Sequence, residues 1–410
     1  VKEINDLPED SLLQELTKQS KWEELMQSPR VECLRRACDI YVYSFYKQFH
    51  ATDLTSEFDS ETETFTPFNI PYTRTVYNAL QEIKYLDYTA EEMEGLQVLP
   101  GSFKQEVNEV AQANRFFHWC VEFPEVFADG GGFDVMCGNP PWDKIKVEDK
   151  KWFEQNGRAD IVNAGTAAQR KQAIANLKKT DSELYIVYHM ALANAESMSR
   201  YIRFCGRFPM TATGDIDLYP LFAEHCYNCS REAWGLVLPT GIAVNDNNKK
   251  FFANLIEENR LISLYDFENK EGLFDIHRMF KFCLLTVGGK QNNPRDVSGG
   301  FYLTRLDHLL DPARIYQLKT TDFKLLNPNT QTCPVFRTSR DARLTTKIYR
   351  RCTVLMNDIT EKNPWNVKFA RMFDMSNDSH LFRTYSQLIN EGAELKGNRF
   401  LLNNQRIDSC

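Results

Sequence analysis

The residues in this sequence best suited to chemistry are Asn139, Pro140, Pro141 and Trp142, which follow the short apolar run 133–137 and Gly138. Asn139 precedes a proline, which biases its backbone away from the helical region, and Pro140 and Pro141 hold their own φ angles near about −65°. The stretch reads as a strand that ends in a glycine and delivers a stiff turn. The Asn139 side-chain oxygen and the Pro140 carbonyl would then be two fixed hydrogen-bond acceptors. Such a pair suits an exocyclic amino group, a weak nucleophile because its lone pair is delocalised into the ring. Two acceptors favour a more tetrahedral nitrogen and stabilise the positive charge that grows on it during methyl transfer. Trp142 would add a flat face on which a base drawn out of a duplex can stack, recovering part of the few kcal/mol that unstacking costs. The same tetrapeptide is also a plausible plain turn after a strand. A partial echo, Asn363-Pro364-Trp365, lacks the second proline and a clear strand before it, and reads as a turn.

Positioning that turn falls to the surrounding elements. Residues up to about Trp119 read as mainly helical, with Cys33, Ala37, Ile40, Tyr41 and Phe45 at helical spacing, and the polar, acidic stretch 52–66 reads as a loop. From Phe133 onward short apolar runs alternate with amphipathic segments, the pattern of an α/β layer structure. Four strands are predicted, over 133–137, 234–239, 261–267 and 280–287. A helical insertion at 146–213 separates the first two. Within it, 183–203 places Leu184, Val187, Tyr188, Ala191, Ala195, Met198 and Ile202 on one face, and Thr180 with Glu183 predicts a capping box at its start. A helix over 246–258 would cross from the second strand to the third. After Gly289 the pattern loosens. The expected organisation is a mainly helical region over 1–118, a catalytic region over 119–290 that contains the insertion, and a connector over 291–410.

With 410 residues, 42% of them hydrophobic and 26% charged, the chain has ordinary globular composition and length enough for two or three domains. Its apolar runs fall well short of the roughly 18 residues of a membrane span, so no membrane partner is expected. A start at Val1, with no basic and apolar leader, predicts a fragment without a signal peptide. Eleven cysteines without a regular framework predict a reducing, cytoplasmic setting. Cys226 and Cys229 form a lone CxxC beside His225; with no second pair at similar spacing, no metal site is expected.

Charge is uneven. Residues 1–100 sum to −10 and the remainder to +3, while 143–180 holds nine basic residues against five acidic ones. That local excess, beginning with Lys144 and Lys146, predicts contact with a phosphate backbone, or else a solvated helix face. A later helix over 339–351 carries Arg340, Arg343, Lys347 and Arg350 at spacings that share one face, with the same two readings.

Taken together these stretches resemble a known family. Asn139-Pro140-Pro141-Trp142 after its strand looks like the fourth motif of the amino-methyltransferases. Gly214-Asp-Ile-Asp-Leu-Tyr-Pro-Leu-Phe222 resembles the motif of the next helix, Gly235-Leu-Val-Leu-Pro-Thr-Gly241 the sixth, and Asp266-Phe-Glu-Asn-Lys-Glu-Gly-Leu-Phe274 the eighth. With 116–127 upstream and 371–380 downstream, the set is similar to N6-adenine DNA methyltransferases of the restriction-modification type, notably type IIG and related phage-defence methylases, over roughly 115–385. The resemblance implies methyl transfer from S-adenosylmethionine to adenine N6 in double-stranded DNA by base flipping. It gives Asn139, Pro140, Pro141 and Trp142 the catalytic role, Trp142 and Phe274 the walls of the target-base pocket, and Phe222 with Asn139 a part in holding the cofactor. Lys144, Lys146, Arg340, Arg343 and Lys347 become DNA contacts.

One departure is large. The family's glycine-rich cofactor motif and the acidic residues after it have no counterpart here; Gly130-Gly131-Gly132 precedes a strand instead of opening a helix. The fold expected is therefore α/β, the second half of a Rossmann-like methyltransferase sheet, with a large helical amino-terminal region and a helical insertion. Its partners would be DNA, the missing amino-terminal part of the same protein, and nuclease or helicase components of a defence system. The competing readings are a non-catalytic DNA-binding segment, a protein or RNA methyltransferase of the Asn-Pro-Pro type, and a nuclease built on the ExK tripeptides Glu268-Asn-Lys270 and Glu394-Leu-Lys396.

Overall fold

The computed structural model describes residues 1–46, 58–59, 64–65, 103–127, 131–290, 296–372, 374, 377–397, 399–403 and 405–407. The chain is mixed α/β and divides into two units, Val1–Cys352 and Thr353–Cys410. Six strands form the sheet of the first: β1 (Phe133–Gly138), β2 (Ser230–Pro239), β3 (Leu261–Glu268), β4 (Lys281–Gly288), β5 (Asp296–Leu303) and β6 (Tyr316–Lys319). Their order across the sheet is β1-β2-β4-β3-β5-β6. β1 runs parallel to β2 and β3 to β5, whereas β4 lies antiparallel between β2 and β3, and β6 antiparallel to β5. The carboxyl ends of β1, β2, β3 and β5 therefore share one edge of the sheet with the start of β4.

Alternation along the strands divides the side chains between two faces. On one, Trp234, Leu236, Leu238, Leu264, Cys283, Leu285, Val287 and Phe301 pack under the helices Leu218–Cys229 and Lys249–Glu257, whose Phe251, Phe252 and Leu255 are wholly buried. On the other, Phe267, Phe282 and Leu303 form a smaller cluster joined by Val237, Tyr265, Leu273 and Trp142. Burying each such side chain contributes roughly 1.5–3 kcal/mol relative to exposure.

All four predicted strands are present. β5 and β6 come from the stretch whose pattern loosens after Gly289; Gly299-Gly300 interrupts the apolar alternation of β5, and β6 has only four residues. The predicted crossover forms as a 3-10 turn, Asp246–Asn248, followed by Lys249–Glu257, but it carries the chain past β4 instead of to a neighbouring position.

The insertion comprises Asp149–Gln155, Ala159–Val162, Ala167–Thr180 and Ser182–Phe204, with its own core of Phe153, Ile161, Ile174, Leu177 and Tyr188. The predicted capping box is corrected here. Thr180 ends one helix, its hydroxyl donating back to the Asn176 carbonyl, and Asp181 caps the next by accepting from Leu184 N–H at 3.1 Å. Thr166 and Gln169 form a reciprocal box instead. On Ser182–Phe204, Tyr188 and Ile202 are buried as expected and Val187 is exposed. Of the amino-terminal region, Leu12–Met26, Pro29–Tyr46 and Phe103–Asn114 are helical, and Cys33, Ala37, Ile40, Tyr43 and Val107 form a further core. The expected loop 52–66 contains a two-residue strand pair, 58–59 with 64–65, and otherwise lies outside the described residues. The second unit holds a short helix, Tyr385–Asn390, and a three-stranded antiparallel sheet, β7 (Glu394–Lys396), β8 (Arg399–Leu402) and β9 (Gln405–Ile407). Among the described residues no helix is long and apolar enough to cross a membrane.

Candidate functional site

β1 ends where Gly138 stands opposite Leu236 of β2, and the Asn139–Trp142 turn leaves from the sheet edge that gathers the parallel strands' carboxyl ends. Ligand crevices in open α/β sheets form at that edge. The incoming strand is held close: a Cβ on Gly132 would lie 2.5 Å from the Cys229 carbonyl oxygen, so this glycine serves the approach of two backbones. The outgoing chain is clasped as well. Leu218 N–H donates to the Asp143 carbonyl at 2.9 Å and Ile145 N–H to that of Ile216 at 3.0 Å. Between these two fixed ends Asn139 is exposed and Pro140 buried. Trp142 lies against both sheet clusters, and its indole N–H is buried without a hydrogen-bond partner, so packing alone sets the ring.

Phe274 comes to the same cluster from the β3–β4 loop. Its ring meets Phe282 edge-on at 4.8 Å, and Phe282 stacks on Phe267 at 5.4 Å with 7° between planes. Trp142 thus packs against the cluster of Phe267, Phe282 and Leu303, and Phe274 meets the Phe282 ring of the same cluster. Phe274 remains 38% exposed, enough to offer a face.

The residue that holds Phe274 there went unread in the sequence. Asn269 is wholly buried, donates from Nδ2 to the carbonyls of Phe274 and Ile276 at 3.0 Å each, and accepts from Phe274 N–H at 3.0 Å. Gly272, at φ +74°, turns the chain inside that staple. An Asn three residues before a Gly at a strand's end is the sequence signal that could have found it. Glu224 is a second unread anchor. Fully buried on the helix Leu218–Cys229, it accepts from Met210 N–H at 3.1 Å and Thr211 N–H at 3.0 Å, and burial raises its pKa.

The ExK tripeptide at 268–270 is occupied otherwise. The Glu268 carboxylate pairs with Lys270 and with Lys281, and those ammonium groups, Lys270 first, hold its pKa below the usual range. Asp266, two residues earlier, is 2% exposed. It accepts from the Thr240 hydroxyl and, at 3.3 Å, from Tyr302 N–H, and burial raises its pKa. It borders a cavity of about 450 Å3. Tyr302 adopts φ +59°, with Lys281 4.6 Å and Arg337 5.1 Å from its ring centroid. No group of three or more His, Cys, Asp or Glu side chains able to hold a metal occurs among the described residues. Cys229 Sγ lies 3.7 Å from His225 Nε2, and burial lowers the His225 pKa to about 4.

Phe222, 40% exposed on the helix Leu218–Cys229, lines an apolar cavity of about 270 Å3 with Phe117, Trp119, Tyr201 and His225. The ring-lined space fits a flat heterocycle. No carboxylate lines it among the described residues, so the hydroxyls of a ribose would find no acidic partner there.

Lys144 and Lys146 are exposed directly after the turn, Lys144 with Asp215 3.7 Å away. Arg340, Arg343 and Lys347 are exposed on the helix Ser339–Tyr349. Arg343 and Lys347 border a groove of about 780 Å3 beside β6, together with Lys319 and Arg350, and Arg350 is committed to Asp322 at 3.1 Å.

With this geometry in place, the comparisons can be set beside it: residues 9–203 match the family model described as Eco57I restriction-modification methylase. Among solved structures, the chain is similar to the type IIG restriction endonuclease BpuSI, at 18% identity and a TM-score of 0.24, over 30% of this chain and 16% of that one. It is also similar to the methyltransferase subunit of a type I restriction-modification system from Streptococcus thermophilus, at 13% identity and a TM-score of 0.26, over 34% of this chain and 35% of that one. The chain thus corresponds to a minor part of each. No curated protein matches it.

Proposed function

We propose that this chain carries the target-base half of a DNA methyltransferase of the restriction-modification type, one that methylates adenine N6 with S-adenosylmethionine as donor, in phage defence. The observation that carries the reading is Asn139-Pro140-Pro141-Trp142 at the carboxyl end of β1, clasped on both sides and backed by the ring cluster that also bears Phe274. The tetrapeptide lies inside the stretch that matches the methylase family model.

In this reading an adenine leaves the duplex and lies between Trp142 and Phe274. The Asn139 side-chain oxygen and the Pro140 carbonyl accept from its amino group; among the described residues no group donates to either. They orient the nitrogen and stabilise the charge it acquires, without acting as strong bases. S-adenosylmethionine supplies the methyl group. Phe222 and its apolar cavity would hold the cofactor's adenine ring, while the described residues supply no acidic partner for its ribose in that cavity. β1 pairs on one side only among the described residues, and Val135 on it is 60% exposed. A Rossmann-like first half bearing the glycine-rich motif would continue the sheet from that edge. Lys144, Lys146, Arg340, Arg343 and Lys347 contact DNA phosphates, and residues 291–410 serve as a connector towards a target-recognition domain. Nuclease or helicase components would complete the system.

Asn139→Ala should abolish N6-methyladenine in the DNA of cells that carry the full gene product, while leaving its DNA affinity within about twofold. Unchanged N6-methyladenine by mass spectrometry refutes the assignment.

A further inference from the structure

The loop that carries Phe274 ends in a turn whose exposed apolar crown the fold does not use. Phe280 N–H donates to the His277 carbonyl at 3.0 Å, which closes a four-residue turn with Arg278 and Met279 at its crown. Met279 is 82% exposed and Phe280 beside it 53%. The turn is nevertheless fixed. Asn269 N–H donates to the Phe280 carbonyl at 3.0 Å, Arg278 Nη1 to the Lys270 carbonyl at 2.8 Å, and Met279 N–H to His277 Nδ1 at 3.3 Å. A built scaffold therefore holds a methionine out in water, five residues beyond Phe274 and at the same edge of the sheet.

The stretch 268–281 carries three cations, Lys270, Arg278 and Lys281, and three acids, Glu268, Glu271 and Asp275, with Glu268 paired with both lysines. Of these, Glu271 accepts from the Thr304 hydroxyl at 3.1 Å. An exposed, unbranched apolar tip on a rigid turn matches duplex DNA at the point where a base has left the stack, because the tip can enter the gap between the neighbouring bases. A thioether is well suited to that gap, because it is unbranched, polarisable and packs against aromatic faces.

We propose that Met279, backed by Phe280, is a wedge that fills the space vacated by the target base and so holds that base in the extruded state. The inference rests on the reading of Trp142 and Phe274 as the walls of the base pocket. Met279 then contributes to extrusion alone and adds nothing once the base is already unpaired.

The test uses the full gene product and duplexes bearing the sequence that methylation mapping finds in the host genome. The target adenine, or 2-aminopurine in its place, stands either opposite thymine or opposite an abasic site. Met279→Ala is expected to lower both the 2-aminopurine emission and the methylation rate at least about fivefold on the paired duplex, since unstacking costs a few kcal/mol. It should match the wild type opposite the abasic site, and Met279→Leu should match it on both. Equal losses on the two duplexes, or no loss on the paired one, would overturn the wedge. If the wild type neither raises emission nor methylates either duplex, the base-pocket reading falls and takes the wedge with it.

Discussion

At the scale of single residues, the site depends on polar groups that sit where apolar ones would be expected. Asn269 makes three hydrogen bonds from a position without solvent access, and each partner left unpaired by its loss would cost about 1–3 kcal/mol. Asn269→Ala should therefore lower the unfolding free energy in urea by roughly 2–4 kcal/mol, because the freed groups regain some water as the loop opens. A loss below about 1 kcal/mol would show that Phe274 is held by its ring contacts instead. The turn after β1 was legible in the sequence because Asn-Pro-Pro-Trp constrains its own backbone. Asn269 and Glu224 were not, since their side chains look like surface residues until the fold places partners around them. The burial of Trp142 against two clusters was equally invisible, as both clusters come from strands remote in the chain.

Elements were legible in proportion to their hydrophobic contrast. β1, β3 and β4 appear within a residue or so of their predicted bounds, and β2 begins earlier because its first residues, Ser230, Arg231 and Glu232, are polar. Sheet order was not legible: nothing local states that β4 slips between β2 and β3. The helix Ser339–Tyr349 shows how a spacing argument is sharpened by structure. Arg340, Arg343, Lys347 and Arg350 share a face by periodicity, yet Arg350 answers Asp322, and only Arg343 and Lys347 are left both exposed and bordering the groove without an ion-pair partner. If these two meet phosphates, replacing both with alanine should flatten the slope of log affinity against log salt by roughly 2 and weaken binding to all sequences alike. An unchanged slope would remove this helix from the DNA interface.

Across the whole molecule, the side of β1 left unpaired among the described residues and the cavity at Phe222, which no described carboxylate lines, bear on the same question. If that cavity takes the cofactor's adenine ring, the described residues around it offer no carboxylate to the ribose. Calorimetric titration of the chain Val1–Cys410 should show no binding at micromolar concentration, and a dissociation constant of about 1 µM or tighter would overturn the division into halves. Charge follows a similar division. The −10 of residues 1–100 is set against a basic remainder, so electrostatic attraction would favour an approach of DNA away from the amino-terminal helices.

The clasp between 143–145 and 216–218 has a consequence for how such a protein can change. Two hydrogen bonds draw together the ends of an excursion of some seventy residues that owns a separate core. Because the ends are tied at its base, the excursion behaves as a module: its length, charge and contents can be exchanged without shifting the turn that bears Asn139. Variation in the excursion is thereby uncoupled from the placement of the turn that follows β1.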